Sequence, residues 1–171
     1  ASEFGESLGR SKLQSMGFAL HQIPITRSGT NLFAQIKCIC SIYSLIKRLE
    51  PHLIHLITLK PVLYGGFVAK IFFSEVPLIF SITGLGVVFS NEKMKKMRFI
   101  IKFALSYCMR NNLSRVIVQN TADQEILLRM GATMRNKVTL IPGSGVDLEK
   151  FRRREIKPSA LDPIVMFASR M

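Results

Sequence analysis

The sequence predicts an α/β protein: a doubly wound, mostly parallel sheet with helices on both faces. Three observations lead there. Short β-branched runs alternate with amphipathic stretches of helical period, at intervals that suit right-handed crossovers. Leu53-Ile-His-Leu-Ile-Thr-Leu59 is a continuous apolar strand of the kind covered on both faces, as in parallel sheets. The strands run out into glycine, proline and small polar residues, the composition of turns at the rim where open α/β sheets hold ligands.

Taken in order, Ser7 to Met16 reads as a short helix closed by Gly17. Phe18 to Ile25 alternates as a strand, ended by Pro24 and the polar loop Thr26 to Thr30. Asn31 can cap the helix that follows, in which Leu32, Ile36, Ile39, Ile42, Tyr43, Ile46 and Leu49 recur on one side until Pro51 stops it. After the strand Leu53 to Leu59, Pro61 is placed as a first helical residue, and Val62 to Phe73 is helical. Its Tyr64-Gly-Gly66 lets the backbone pack closely against the sheet or a ligand. Leu78 to Thr83 is the next strand, Gly84 to Asn91 a loop, Glu92 to about Arg110 a long helix, and Arg115 to Gln119 a further strand. Thr121-Ala-Asp-Gln124 has capping-box spacing, and its helix closes at Gly131. Val138 to Ile141 reads as a buried strand that Pro142 terminates.

The chain has 171 residues, enough for one domain with a sizeable core, and is 48% hydrophobic. Lys and Arg number 24 against 11 acids, a formal charge of +13, which implies an anionic partner: phosphate groups, nucleic acid or an acidic membrane surface. The longest uncharged run, Val76 to Asn91, is interrupted by Pro77, Gly84 and Gly86 and is too short to span a bilayer. No signal-peptide pattern opens the sequence. Cys38, Cys40 and Cys108 lack C-x-x-C spacing and read as reduced core thiols of a cytosolic protein, with no metal site. Both ends look cut, since the chain opens on Ala1 and closes on Met171 directly after the apolar run that starts at Pro163. The implied organisation is a domain over 1–151, a charged, proline-containing linker over 152–162, and the start of a second domain over 163–171.

Four strand ends would meet on one edge: Lys60-Pro61, Thr83-Gly-Leu-Gly86, Asn120-Thr121 and Gly143-Ser-Gly145. They supply a cation, small residues and many free backbone N–H groups, which is equipment for holding phosphate or sugar oxygens. Lys60 reads equally as a solvated surface lysine, and Asn120 as a helix cap. Gly143 and Gly145 permit positive φ, while Ser144 and Asp147 place a hydroxyl and a carboxylate at the mouth of that turn. No nucleophile–base pair or paired carboxylates are visible, so no catalytic residue is assigned. His55 reads as a hydrogen-bonded core imidazole, His21 and His52 as surface residues.

The long helix carries Ile101, Ala104, Leu105 and Cys108 on its core side. On the other side Lys95, Arg98 and Lys102 are interleaved with Phe99 and Phe103. Bases among aromatics suit the headgroup boundary of an anionic membrane, where each base contributes about 1 kcal/mol; the alternative is that the phenylalanines pack under neighbouring loops.

Taken together, residues 55–66 (His-Leu-Ile-Thr-Leu-Lys-Pro-Val-Leu-Tyr-Gly-Gly), 81–89 (Ser-Ile-Thr-Gly-Leu-Gly-Val-Val-Phe), 116–120 (Val-Ile-Val-Gln-Asn) and 141–151 (Ile-Pro-Gly-Ser-Gly-Val-Asp-Leu-Glu-Lys-Phe) resemble the amino-terminal domain of retaining family-four glycosyltransferases. The likeness is to the bacterial capsule, O-antigen and lipid-linked-oligosaccharide group. It implies a Rossmann-like half of a GT-B fold and transfer of a hexose or N-acetylhexosamine from a nucleoside diphosphate sugar to a polyprenyl-diphosphate-linked saccharide. It also implies a peripheral position on the inner face of the plasma membrane, and no cofactor beyond the sugar donor. Lys60, Thr83, Gly84, Gly86 and Asn120 would then line the acceptor side, with Gly143, Ser144 and Gly145 near the donor and Asp147 fixing the hinge. Thr83 stands where many relatives carry a histidine, so a catalytic histidine is not transferred to this chain. The family's first strand would precede Ala1 and its donor domain would follow Met171, so these 171 residues alone should have little or no transferase activity. The rival readings are a non-catalytic basic module for nucleic acid or anionic lipid, and a structural partner of a separate donor-binding chain. Nucleic acid is the less favoured partner, because no RNP-like, helix-turn-helix or zinc pattern is present.

Overall fold

The computed structural model describes residues 3–25, 31–85, 95–143 and 145–152. In chain order these form α1 (Glu3–Ser15), α2 (Leu32–Leu49), β1 (Ile54–Ile57), α3 (Leu59–Phe72), β2 (Leu78–Ile82), α4 (Lys95–Met109), β3 (Ser114–Val118), α5 (Thr121–Arg129), a 3-10 turn (Arg135–Lys137) and β4 (Val138–Leu140). The strands make one parallel sheet in the order β1-β2-β3-β4, with Phe80 beside Leu56 on one side and Val116 on the other.

Each crossover moves to the next strand in the same direction. Right-handed connections of that kind place every connecting helix on the same face of a sheet. The core follows: Val62 and Ala69 of α3, Ile101 and Leu105 of α4 and Leu127 of α5 close over Leu78, Phe80 and Ile82 of β2 and over Val116 and Val118 of β3. Burying side chains of this size contributes about 1.5–3 kcal/mol apiece, so this layer holds the sheet together. Helix α2 lies beside α3, with Cys38, Ile42 and Ile46 against Val68. The α/β class and the parallel sense are those the sequence predicts. On the face of the sheet away from this core, His55, Ile57 and Arg115 are exposed among the described residues, whose strand order never reverses.

Close packing of α3 depends on its glycine pair. A Cβ on Gly66 would stand 3.0 Å from Cys108 Cβ and 3.0 Å from Phe80 Cε1, so only glycine lets α3, α4 and β2 meet at this distance. The glycines therefore serve the sheet.

Local signals fare unevenly. Asn31 caps α2 as expected, accepting from Phe33 N at 3.0 Å, and the helix ends at Glu50 in the left-handed region before Pro51. Residues 18–25 form no strand; they are irregular and mostly exposed, since alternation alone cannot hold an extended segment without a neighbouring ladder. The expected strand 53–59 shrinks to Ile54–Ile57 and alternates in burial, because β1 is an edge of the described sheet and α3 already begins at Leu59. For the same reason β4 is half-buried to exposed rather than buried. His55 is likewise not a core residue; it is exposed, and its Nε2 shares a 2.7 Å hydrogen bond with Ser81 Oγ across β1 and β2. Cys38 and Cys108 are buried free thiols, whereas Cys40 is exposed, two positions and about 200° round the helix from Cys38. The expected loop over 86–91, the first residues of the long helix, the linker beyond Arg152 and the segment 163–171 lie outside the described residues.

Candidate functional site

Because all four strands are parallel, their carboxyl ends share one rim. Hydrogen bonds run along it: Thr58 N donates to Ser81 O at 3.0 Å, and Ile141 N to Val118 O at 2.9 Å. The rim therefore gathers the turns after β1, β2, β3 and β4 as the sequence predicts, although Gly86 and Ser144 fall outside the described residues.

The first turn is strained. Thr58 has φ 72° and ψ 162°, a region that essentially only glycine occupies, and it is held there by its own N–H bond to Ser81 and by Val62 N donating to its carbonyl at 3.1 Å. This residue gave no sequence signal, since threonine in a β-branched run reads as ordinary strand. Two positions on, Lys60 sits in the first turn of α3. Burial pushes the nearby Cys38 thiol up, and Lys60 lies close enough to oppose that shift in part.

Thr83 is half-buried on the rim, and Gly84 turns with φ +84°. The next contact overturns part of the sequence reading. Gly84 N and Leu85 N do not stand free for a ligand; they donate to Asp123 Oδ2 at 3.1 Å and Oδ1 at 3.0 Å. Asp123 is 2% exposed and also accepts from Asn120 Nδ2 at 3.0 Å, while its own N–H donates to Asn120 Oδ1 at 2.7 Å. Asn120 is thus the cap of α5, one residue earlier than the Thr121–Gln124 spacing suggests, and Asp123 at the third helical position bonds back to the Asn120 side-chain amide. The sequence signal for Asp123 was present, an acid at the third position of a helix, but nothing local tied it to residues 38 and 39 positions away.

After β4 the chain turns at Gly143 (φ +64°) and Gly145 (φ +75°). Asp147 Oδ1 accepts from Glu149 N at 3.0 Å and Lys150 N at 3.1 Å, which fixes the following turn.

The outer face of α4 is distinct from the rim. Phe99 and Phe103 are 73% and 70% exposed and do not pack under the described segments; Lys102 is exposed between them, and Arg98 is half-buried. Lys95 opens the helix. Phe99, Lys102, Phe103, Tyr107 and Arg110 line a cavity of about 360 Å³ with Lys70 of α3. Lys70 Nζ donates to Tyr107 O and, at 3.0 Å, to Arg110 O, and stands 4.6 Å from the Tyr107 ring centroid, so it caps the end of α4. Beneath it, burial pushes the Cys108 thiol up to about 11. Among the described residues no helix is long and apolar enough to cross a membrane. Nor do three or more His, Cys, Asp or Glu side chains converge there as a metal site would require.

Residues 6–120 match the family model described as Glycosyl transferase 4-like. The chain belongs to that family. It is also 26% identical over 129 residues to the Escherichia coli UDP-Gal:alpha-D-GlcNAc-diphosphoundecaprenol alpha-1,3-galactosyltransferase, a match covering 75% of this chain and 32% of that protein. The chain thus spans about a third of that relative's length. Within the glycosyltransferase 4-like match fall Lys60, Thr83, Gly84, Gly86 and Asn120; Asp123 and the turn from Gly143 to Asp147 lie beyond it.

Proposed function

We propose that this chain is the acceptor-side part of a glycosyltransferase that moves a hexose or N-acetylhexosamine from a nucleoside diphosphate sugar to a lipid-linked saccharide, in surface polysaccharide synthesis. The observation that carries the reading is the shared carboxyl rim of β1, β2 and β3 inside the family match, with Lys60 and Thr83 at adjacent strand ends. A diphosphate-linked acceptor carries the negative charge that Lys60 would hold, and the Thr83 hydroxyl can orient a sugar hydroxyl. The relative is named for a diphosphoundecaprenol-linked GlcNAc acceptor, which supports a polyprenyl-linked partner here. Gly143, Ser144, Gly145 and Asp147 form the hinge towards a donor-binding domain, with 152–162 as linker and 163–171 as its start.

An acceptor anchored by a prenyl chain sits in a bilayer, so the enzyme must work at the lipid surface. The exposed Phe99 and Phe103 with Arg98 and Lys102 supply the aromatic and basic face for an anionic membrane, on the inner side of the plasma membrane.

The test is a transfer assay with the whole gene product, labelled nucleoside diphosphate hexoses and a short-chain prenyl-diphosphate-linked N-acetylglucosamine. A lipid-linked disaccharide is expected, with the 171 residues alone giving little or none, and Lys60→Ala lowering kcat/KM for the acceptor about tenfold. Absence of transfer to any lipid-linked acceptor, together with salt-dependent binding to nucleic acid, would overturn the reading in favour of a basic module.

A further inference from the structure

We propose that Asp123 is a positioning residue of the acceptor rim: it acts as an internal anion that presets the loop leaving β2. The inference rests on the acceptor-side reading of that rim and deepens it. A helix cap needs only the bond between Asn120 Oδ1 and Asp123 N. The carboxylate does more. Its two oxygens divide two consecutive backbone N–H groups, Gly84 and Leu85, on a segment that is remote in sequence and leaves a different strand. Successive N–H groups aimed at one carboxylate or phosphate make the kind of concavity by which loops hold anionic ligands. Here the protein's own side chain fills it, at 2% exposure, with the favourable field of the α5 amino terminus behind it.

Two consequences follow. Leu85 is gripped twice, its side chain in the core and its N–H on Asp123, so the path of the chain just past Thr83 is set before any ligand arrives. The Gly84 and Leu85 N–H groups are also withdrawn from the substrate's diphosphate, which leaves recognition at this point to side chains. Asp123 touches no reacting atom; it acts through the loop and so on the acceptor alone.

Asp123→Asn tests this with little change of shape. The new amide NH2 must face Gly84 N–H, Leu85 N–H or the Asn120 amide, donor to donor. Native-state hydrogen exchange should show the Gly84 or Leu85 amide exchanging about tenfold faster, with the Phe80 amide of β2 unchanged. In the transfer assay the KM for the lipid-linked acceptor should rise about tenfold while that for the nucleotide sugar stays within twofold. A merely structural role would lower apparent kcat through loss of folded enzyme and leave both KM values alone; that result overturns the proposal. So does an unchanged exchange rate at both loop amides. If the unsubstituted protein transfers no sugar, the acceptor-side reading fails, and the exchange measurement still reports separately on the Asp123 tie. Should Asp123→Asn not fold, exchange in the unsubstituted protein decides: the Gly84 and Leu85 amides should exchange at least about tenfold slower than free peptide, and unprotected exchange at both refutes the tie.

Discussion

Replacing Thr58 by glycine should stabilise the protein, an unusual outcome for a glycine introduced into a folded domain. At φ 72° and ψ 162° the threonine stores about 1–3 kcal/mol of backbone strain. Glycine removes that strain but loses about 0.5–1 kcal/mol through the greater freedom of the unfolded chain. The Thr58 side chain makes no capping hydrogen bond, and both backbone bonds, to Ser81 O and from Val62 N, survive the change. The net gain is therefore about 0–2.5 kcal/mol, or up to roughly 10 °C in Tm for a chain of this size. Thr58→Ala keeps the Cβ that creates the conflict and should gain nothing. Urea unfolding followed by circular dichroism at 222 nm reads the three proteins together. If the glycine variant is no more stable than the alanine variant, the turn is not strained and the reasoning fails. On the transferase reading, the relaxed turn should also raise the acceptor KM, since it sets the direction of Lys60.

Three more outcomes follow from named contacts. Gly66→Ala should cost up to about 2 kcal/mol, because crowding Cys108 Cβ and the Phe80 ring costs about 1–3 kcal/mol against a helix-propensity gain of about 1 kcal/mol. Gly65→Ala should also lower the urea midpoint, since its Cβ would stand 2.5 Å from Leu56 Cδ2 and 3.1 Å from Cδ1, so the half-buried Leu56 side chain must shift as a whole; an unchanged midpoint would contradict this packing. Cys108 has its folded-state pKa raised from 9.0 to about 11, so it contributes stability that is fully present below pH 9 and is lost as pH rises towards 11. Cys108→Ala should flatten that part of the alkaline stability curve, and a thiol reagent at pH 8 should label Cys40 well before Cys108. Finally, Phe99→Ser with Phe103→Ser should weaken binding to phosphatidylglycerol vesicles at least tenfold without lowering Tm, because both rings are already in solvent. Equal sedimentation of the variant with vesicles would place the membrane contact elsewhere.

The class, the parallel sheet and the shared rim could be read from the sequence because each depends on a short-range pattern. Period-two and period-3.6 apolar spacing, Pro61 and Pro142 at element ends, and glycines at strand exits suffice to order the elements and to align their carboxyl ends. The basic, aromatic side of α4 was legible for the same reason: helical periodicity assigns each residue a direction, and Phe99 and Phe103 point away from Leu105 and Cys108. What the sequence could not supply were the facts that depend on which segments lie next to one another. Edge position exposed His55 and Ile57 in a run that reads as buried, and the lack of a neighbouring ladder left residues 18–25 irregular.

The composition and periodicity of this chain determined its class, its strongly positive charge and the side of the sheet on which ligands would be sought. Only the tertiary structure decided that Asp123 consumes the N–H groups of Gly84 and Leu85, and that Thr58 bears the strain of the first turn. The physical reason is common to both. A hydrogen bond between residues nearly forty positions apart, or a backbone angle forced by bonds on either side, arises from the folded arrangement and leaves no periodic trace in the sequence.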